Sequence, residues 1–194
     1  MPGVGLTLAE LRADQASDPP QTADAGNWLR ALVEAHYEFV WRSLRRLGHK
    51  EGDVDDGVQK VFLVASRRLA GIRAGAERAF LYQTALRVAA DSRRTERRRR
   101  ETEAPDESFE DPAPRPDDLV DLRRARQCLD DILEGWPLDL RAVFTLFELD
   151  QLTLTEISVL LGVPRGTVAS RLRRAREEFY EKARAFLSDD EERT

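Results

Sequence analysis

The chain has 194 residues and a formal net charge of -5, and 41% of its residues are hydrophobic while 35% are charged. This composition is typical of one large or two small globular domains, each with a modest core, and excludes collagen-like and low-complexity proteins. The apolar runs are too short to cross a bilayer, so we expect no membrane insertion. The N-terminus lacks the pattern of a secretory signal, which favours a cytoplasmic protein. The single cysteine, Cys128, excludes an internal disulfide.

The first half of the chain predicts a tail and three helices. Residues 1–26 show little apolar periodicity, and we expect a flexible extension there. Apolar residues then recur every three or four positions over residues 28–48, which predicts an amphipathic helix. The same spacing returns over residues 54–69 after an acidic first turn, and again over residues 80–89, where the helix runs out into RRTERRRR. No alternating strand pattern occurs, so we predict an all-α fold.

A change of composition divides the chain in two. Residues 101–121 include nine acidic residues, one arginine and several prolines, which predicts an extended, self-repelling linker. Helical spacing resumes after it in several short segments. We therefore predict two small helical domains, residues 27–100 and 122–187, joined by this linker and followed by an acidic tail at residues 188–194.

The segment LTLTEISVLLGVPRGTVASRLRRAREEF has the features of a helix-turn-helix. Thr153 and Glu156 match the capping box that begins a helix. Gly162 supplies the backbone freedom for a tight turn, and Pro164 suits the first position of the next helix. The residues that the spacing places on the inward side of that helix are Val168, Leu172, Ala175 and Phe179.

The outward side of the same helix combines small residues with arginines, as a helix that enters the DNA major groove requires. Small residues permit close approach, and arginine bonds guanine edges or phosphates. The predicted DNA-contacting residues are Arg165, Gly166, Thr167, Ser170, Arg171, Arg173 and Arg174. The alternative is a solvated face whose arginines only pair with Glu177 or Glu181. That alternative does not explain the turn glycine, the proline and the small outward residues together.

A second basic segment lies on and after the third predicted helix. It includes Arg87, Arg93, Arg94 and the run at residues 97–100. Taken alone, such a run is also typical of a localisation patch, an RNA-binding tail or a frayed helix end. Because a second basic surface lies beyond the acidic linker, the two surfaces could contact one DNA at two separated places.

Three segments, in this order, resemble the extracytoplasmic-function (ECF) group of σ70-type sigma factors of bacterial RNA polymerase. Region 2.2 of that family is similar to GDVDDGVQKVFLVASRRL, and its regions 2.3 to 2.4 are similar to FLYQTALRVAADSRRTERRRR. Its region 4.2 is similar to GVPRGTVASRLRRAREEF. The resemblance spans about residues 28–187, and the ordered set of three is more specific than any one segment.

The resemblance implies core RNA polymerase and promoter DNA as partners. The first, σ2-like domain would dock on the clamp helices of the largest polymerase subunit and would open and read the −10 element. The second, σ4-like domain would read the −35 element and dock on the β-subunit flap tip. The acidic linker would occupy the RNA channel, and an anti-sigma factor between the domains is a further implied partner.

The resemblance also implies site residues in the first domain. Those for the clamp are Asp53, Asp55, Asp56, Gln59, Lys60 and Leu63, and those for the −10 element are Arg87, Asp91, Arg93, Arg94, Arg97 and Arg98. The −35 residues would be the outward set of the helix-turn-helix.

Four positions depart from the family pattern. Gly57 stands in place of a leucine, and glycine weakens a helix by about 1 kcal/mol relative to alanine. Lys60 stands where the family usually has an acid, at the expected clamp contact. Arg87 replaces an asparagine near the −10 reader, and Phe80 replaces a tryptophan. These departures bear on promoter preference.

Two other functions compete with this interpretation. A stand-alone regulator would bind an operator through the same helix-turn-helix, but no dimerisation helix or ligand pocket is visible. An enzyme acting on nucleic acid would need a metal-ligand cluster or a glycine-rich phosphate loop, and neither is present. His36 and His49 have no companions at ligand spacing, so we interpret them as packing and loop residues. We predict a protein that is not an enzyme and needs no metal or cofactor.

Overall fold

The computed structural model describes residues 25–102 and 127–191. Helices dominate these residues, and no strand occurs among them, which confirms the predicted all-α class. The N-terminal extension and nearly all of the acidic linker lie outside the described residues, as do residues 192–194 of the acidic tail. In the described ranges no helix is both long and apolar enough to cross a membrane.

The N-terminal unit consists of three helices, α1 (Ala25–Arg46), α2 (Val54–Arg67) and α3 (Glu77–Thr102), which pack against one another. A 3₁₀ turn, Leu69–Gly71, connects the last two. The acidic residues predicted at the start of the second helix lie in the first turn of α2, where they complement the helix dipole. The unit's fully buried side chains include Val40, Leu44, Val61, Leu81 and Tyr82.

The C-terminal unit begins with a helical segment at residues 127–133 (α4) and α5 (Leu138–Phe144). A π-helical segment, Thr145–Leu149, continues α5, and the Asp150 amide donates to the Thr145 carbonyl at 3.1 Å. The helix-turn-helix follows as α6 (Leu154–Leu161) and α7 (Arg165–Glu191). Sequence analysis does not predict the π-helical segment, because its apolar spacing is close to that of an α-helix.

An aromatic cluster packs between α4, α5 and α7 in the C-terminal unit. The rings of Trp136 and Phe144 meet edge to face with centroids 5.5 Å apart, and Phe144 stacks on Phe179 at 5.0 Å. Cys128 is partly buried against this cluster. The cluster fixes the second half of α7 against α4 and α5.

The largest apolar cluster runs through both units. It joins Val61 and Leu81 of the N-terminal unit to Leu146, Ile157 and Leu160 of the C-terminal unit, and α3 packs directly on α6. Composition alone predicts a separate core in each domain, whereas the observed main core is continuous. A physical reason is that a few short helices leave part of each apolar stripe uncovered, and packing the units together removes that surface from water.

The glycine at position 57 has a structural reason. A Cβ atom there would lie 3.0 Å from Leu44 Cδ1 and 3.2 Å from the ring of His49. The His49 ring is itself buried, and its Nε2 lies 3.2 Å from the Ser92 hydroxyl of α3. A histidine from the loop after α1 therefore occupies the space beside α2 that a larger side chain at position 57 would need.

Candidate nucleic-acid interface

The helix-turn-helix is built by the local contacts that the sequence predicts. The Thr153 hydroxyl accepts from the Glu156 amide at 3.3 Å, and the Glu156 carboxylate accepts from the Thr153 amide at 2.8 Å, which confirms the capping box. Gly162 has a φ of 67°, the left-handed conformation that a glycine adopts without strain. The second helix begins at Arg165, so Pro164 precedes it instead of occupying its first position, and its carbonyl accepts the first helical bonds.

Helix α7 presents the predicted inward and outward sides. Val168, Leu172 and Ala175 are buried, as the spacing predicts, and Phe179 is half-buried. The outward residues that are exposed are Arg165, Gly166, Ser170, Arg173 and Arg174, while Thr167 and Arg171 are half-buried at the edge of this face. A Cβ at Gly166 would meet nothing within 4 Å. The whole outward set therefore lies together on one accessible surface.

Acidic residues hold the arginines on this surface. Arg173 pairs with Glu177 at 2.8 Å and Arg174 pairs with Glu178 at 2.9 Å, each one turn along the same helix. The arginine side chains stay 73% and 65% exposed, so each pair contributes less than about 1 kcal/mol and exchanges readily for another anion. The arginines therefore do pair with acidic residues of the same helix, as the alternative interpretation expects. They nevertheless remain exposed to solvent.

The remaining arginines of α7 contact other helices. Arg171 Nε lies 3.0 Å from a carboxylate oxygen of Asp139 in the first turn of α5. Arg176 pairs with Glu148 of the π-helical segment at 2.7 Å, and its guanidinium lies 5.0 Å from the Phe147 ring centroid. A cleft of about 290 Å³ lies between the start of α5 and the outward face of α7. It is lined by Pro137, Asp139, Leu140, Ser170, Arg171, Arg173 and Arg174.

The second predicted DNA surface lies on α3, and all but one of its residues are exposed. The exposed members are Arg87, Asp91, Arg94, Arg97 and Arg98. Arg93 is half-buried and faces the C-terminal unit, where it donates to the Trp136 carbonyl at 2.7 Å. It also donates to the Leu47 carbonyl at 3.0 Å, and burial lowers the pKa of its guanidinium. The structure thus separates Arg93 from the other predicted −10 residues.

The predicted clamp-binding residues lie along the exposed part of α2, from the residue before its first turn to its third turn. They are Asp53, Asp55, Asp56, Gln59, Lys60 and Leu63, all of them exposed. Leu63 is an exposed large hydrophobic side chain at 48% exposure, and the Tyr37 hydroxyl donates to Asp55 at 3.1 Å.

Arg141 is a structurally central residue that the sequence analysis missed. It is 4% exposed and donates to the Arg46 carbonyl at 2.6 Å, to the Leu133 carbonyl at 3.0 Å and to Asp130 at 3.3 Å. Burial, more than the nearby charge of Arg93, lowers its pKa to about 10, so it is charged at neutral pH. The signal in the sequence is an arginine inside the apolar run LDLRAVF, because such an arginine needs buried partners.

Candidate metal-binding clusters are absent from the part of the chain that the structure describes. No group of three or more His, Cys, Asp and Glu residues there could hold a metal ion. His36 and His49 are both buried in the N-terminal unit.

Comparison with known families matches both units. Residues 32–99 match the model of Sigma-70 region 2, and residues 126–179 match the model of Sigma-70 region 4. Among solved structures, CnrH in complex with the cytosolic domain of CnrY has a similar fold, with a TM-score of 0.59. That match has 24% sequence identity and covers 87% of this chain and 95% of that chain.

Whole-chain relatives extend this match. The ECF RNA polymerase sigma factor SigE of Mycolicibacterium smegmatis is 28% identical over 176 residues, which cover 90% of this chain and 65% of that protein. The ECF RNA polymerase sigma-E factor of Escherichia coli K12 is 34% identical over 166 residues, covering 80% of this chain and 87% of the relative. The chain therefore belongs to the ECF family of RNA polymerase sigma factors, which bind the polymerase and direct promoter recognition.

Proposed function

We propose that this sigma factor reads its promoter with two basic helical surfaces, α7 on the −35 element and α3 on the −10 element. The observation that carries the proposal is the exposed outward face of α7, held by a buried anchor and a capped turn. A helix of this kind fits the major groove, where small residues permit close approach and arginines bond base edges. The exposed arginines of α3 supply the second contact.

At the −35 element, DNA replaces the glutamates of α7 as the partner of its arginines. Arg173 and Arg174 exchange Glu177 and Glu178 for guanine edges or phosphates, and the pairs they leave are weak because they are solvated. Arg171 differs because Asp139 holds its Nε from another helix. We assign Arg171 to the edge of the contact, beside the cleft between α5 and α7.

At the −10 element, the exposed basic residues of α3 hold the DNA backbone while the duplex opens. Base capture offsets an unstacking cost of a few kcal/mol, because a flipped base finds new stacking or hydrogen-bond partners. The sigma factor breaks no covalent bond in this process and acts in the cytoplasm with the polymerase.

Polymerase docking uses surfaces that lie away from the DNA-reading residues of α7. The exposed residues of α2, with Leu63 among polar side chains, are proposed to contact the clamp helices. A cleft of about 250 Å³ beside Phe144, Phe179 and Tyr180 is proposed to receive the β flap tip, because its lining is mainly apolar. An anti-sigma factor is proposed to bind the larger cleft of about 470 Å³ between the units, beside Trp41 and Leu129.

The proposal is tested by run-off transcription with purified core polymerase. Transcription from a promoter with both elements should depend on adding the sigma factor, and Arg173→Ala and Arg174→Ala should each weaken it. Arg30→Ala is the matched control. It removes an exposed arginine of α1, a helix that carries neither of the two proposed DNA-binding surfaces. Tight binding of the free protein to a palindromic operator, with no effect on transcription by core polymerase, would instead support a stand-alone regulator.

A further inference from the structure

The cleft between the units is rich in arginine. It has a volume of about 470 Å³, within the range of small-molecule sites, and lies between the end of α1 and the helices α4 and α5. Its lining includes Arg42, Arg45 and Arg46 of α1 and Arg141 of α5. Asp130 is the one acidic residue of this lining in the part of the chain that the structure describes. We call it the cationic cleft, because its lining has four guanidinium groups and one carboxylate.

The sequence of α1 places three of these arginines near one another. Arg42 is three positions before Arg45 and four before Arg46, so both lie one turn further along the same side of the helix. Cations at the end of a helix complement its dipole, and Arg45 also donates to the His49 carbonyl. Arg42 lies one turn earlier and is exposed, and its described hydrogen bond is a long one, 3.4 Å to the Glu38 carbonyl. The end of the helix therefore does not account for Arg42.

The arginines of the cationic cleft have more N–H donors than their described partners use. A guanidinium group has five N–H donors in a planar fork. Arg141 donates through each of its three nitrogens, to two backbone carbonyls and to Asp130. Arg42 and Arg45 each donate once, to a backbone carbonyl. Among the described residues, donors therefore outnumber acceptors at the cleft, and an added anion would supply acceptors.

The positive charge of the cleft is also incompletely balanced. Burial lowers the pKa of Arg141 to about 10, and the positive charges of Arg93 and Arg45 add to this shift. Asp130 and Glu134 oppose the shift without cancelling it. A guanidinium group that is buried beside like charges costs free energy, which a nearby anion offsets by favouring the charged form. The electrostatics of the cleft therefore favour an anionic ligand.

Most of the remaining lining is apolar. It includes Trp41, Leu129, Leu133 and Leu149, and Leu149 is 38% exposed. A tryptophan offers its flat face to a planar ring, so a ligand that matches the cleft has a planar apolar part. Because several guanidinium groups have donors to spare, the same ligand has several negative charges. Arginine forks fit phosphate oxygens in pairs, so a polyphosphate is the anion that they suit.

We propose that the cationic cleft binds a nucleoside polyphosphate, with the phosphates on Arg42, Arg45 and Arg141 and the base on Trp41. Such a site is distinct from the promoter-reading surfaces of α3 and α7 and does not depend on their roles. Because an anti-sigma factor is proposed to bind the same cleft, the nucleotide and that partner exclude each other.

The first experiment measures nucleotide binding by calorimetry. ATP and GTP are titrated into the free protein, and at least one of them should bind at one site per chain. Arg42→Ala should weaken this binding about 10-fold, because a charge-assisted pair with phosphate is lost. Arg30→Ala is the matched control, since Arg30 is an exposed arginine of the same helix outside the cleft. No binding of either nucleotide, or equal affinities of the two variants, would overturn the proposal.

A second set of variants separates the cleft from the DNA-reading surfaces, which also attract polyanions. Arg94→Ala of α3 and Arg174→Ala of α7 each remove an exposed arginine outside the cleft. Both variants should bind the nucleotide as the unmodified protein does. Loss of binding in either of them, with binding retained in Arg42→Ala, would place the anion on a DNA-reading surface and contradict the proposal.

A third measurement tests the base contact. The chain has three tryptophans, and the bound base should quench the fluorescence of Trp41. Trp41→Phe should lose the quenching, whereas Trp28→Phe, which removes a partly buried tryptophan outside the cleft, should retain it. Inorganic triphosphate should bind more weakly than the nucleotide, because it lacks the base. Equal affinities for inorganic triphosphate and the nucleotide, or quenching that persists in Trp41→Phe, would refute a nucleotide as the ligand.

These measurements need neither DNA nor polymerase, so they separate the cleft from the proposed function. If no nucleotide binds while promoter-dependent transcription requires the protein, the cleft site is wrong and the proposed function stands. If a nucleotide binds as expected and the protein directs no transcription, the proposed function fails and the cleft site stands.

Discussion

The two basic helices of this sigma factor are held in different ways. On α7 the exposed arginines pair with acids of the same helix, and those pairs remain largely solvated. On α3 most arginines are exposed as well, but Arg93 is inserted into the C-terminal unit and bonded to backbone carbonyls. A solvated pair exchanges its partner for DNA at little cost, whereas a buried guanidinium is released only when the units separate.

This difference determines which basic residues are accessible in the packed protein. The outward face of α7 is accessible, while Arg93 of the α3 surface is held by the C-terminal unit. We therefore expect weak DNA binding by the free protein, because Arg93 is engaged by the C-terminal unit and the net charge is -5.

The largest expected effect comes from removing a buried arginine that joins the two units. Arg141→Ala removes the donor for two buried carbonyls and leaves Asp130 without its partner. The free energy of unfolding should fall by about 3 kcal/mol or more, because unsatisfied buried groups keep their desolvation cost. Urea unfolding followed by circular dichroism measures this change.

The matched control is an exposed arginine. Arg30→Ala should change the free energy of unfolding by less than about 0.5 kcal/mol. Nearly equal losses for Arg141→Ala and Arg30→Ala would show that Arg141 does not join the units in solution.

The next effect concerns the exposed arginines of α7, whose removal should weaken DNA binding and leave the free energy of unfolding nearly unchanged. Arg174→Ala should weaken binding of the holoenzyme to −35 DNA by about 1 to 3 kcal/mol if the side chain reaches a base edge. Its stability should change little, because the pair with Glu178 is largely solvated. Binding to duplexes with each −35 base pair substituted in turn measures the effect, and a uniform loss over all duplexes would assign Arg174 to a phosphate instead.

Much of the C-terminal unit could be predicted from sequence because its signals are local. The capping box at Thr153, the turn at Gly162 and the inward spacing from Val168 onward each depend on residues a few positions apart. The helices of the N-terminal unit followed from apolar spacing in the same way. Local patterns therefore predict the helices, the turn and the exposed face of α7.

The parts that sequence could not give depend on distant residues. Arg93 and Trp136 are 43 positions apart, and Arg46 and Arg141 are 95 apart, so no spacing rule connects them. The shared core has the same origin, since an apolar stripe predicts that a helix packs but not on which partner. Gly57 is explained only once the His49 ring is in place, and Gly48 only once Arg93 and Arg141 are in place, because a Cβ there would lie 3.2 Å from Arg93 Nη2 and 3.3 Å from Arg141 Nη1.

A smaller effect should separate the two threonines at the start of α6. Thr153→Ala removes the cap hydroxyl and should lower the free energy of unfolding by about 1 kcal/mol. Thr155→Ala is the control, because Thr155 is exposed within the helix and does not form the capping box. Thr153→Ala should also weaken binding to −35 DNA and leave binding to −10 DNA unchanged. Duplex DNA with the −35 element and fork-junction DNA with the −10 element measure the two effects separately.

The smallest expected effect is a pH dependence in the N-terminal unit, which contains both histidines. Burial lowers the pKa of His49 below its ordinary 6.5, with Lys60 and Arg93 adding to the shift, while the Leu44 carbonyl and Asp53 oppose it. The folded protein therefore keeps this ring neutral at a pH where the unfolded chain binds a proton.

Because the unfolded state binds more protons, the free energy of unfolding should decrease as the pH falls below 6.5 and should be unaffected by this group above it. His49→Gln keeps a side chain that can hydrogen-bond Ser92 and cannot titrate, so it should lose part of this decrease. Urea unfolding of both proteins at pH 7.5 and 5.5 measures the difference. An equal loss in both proteins would place the acid sensitivity at groups other than His49.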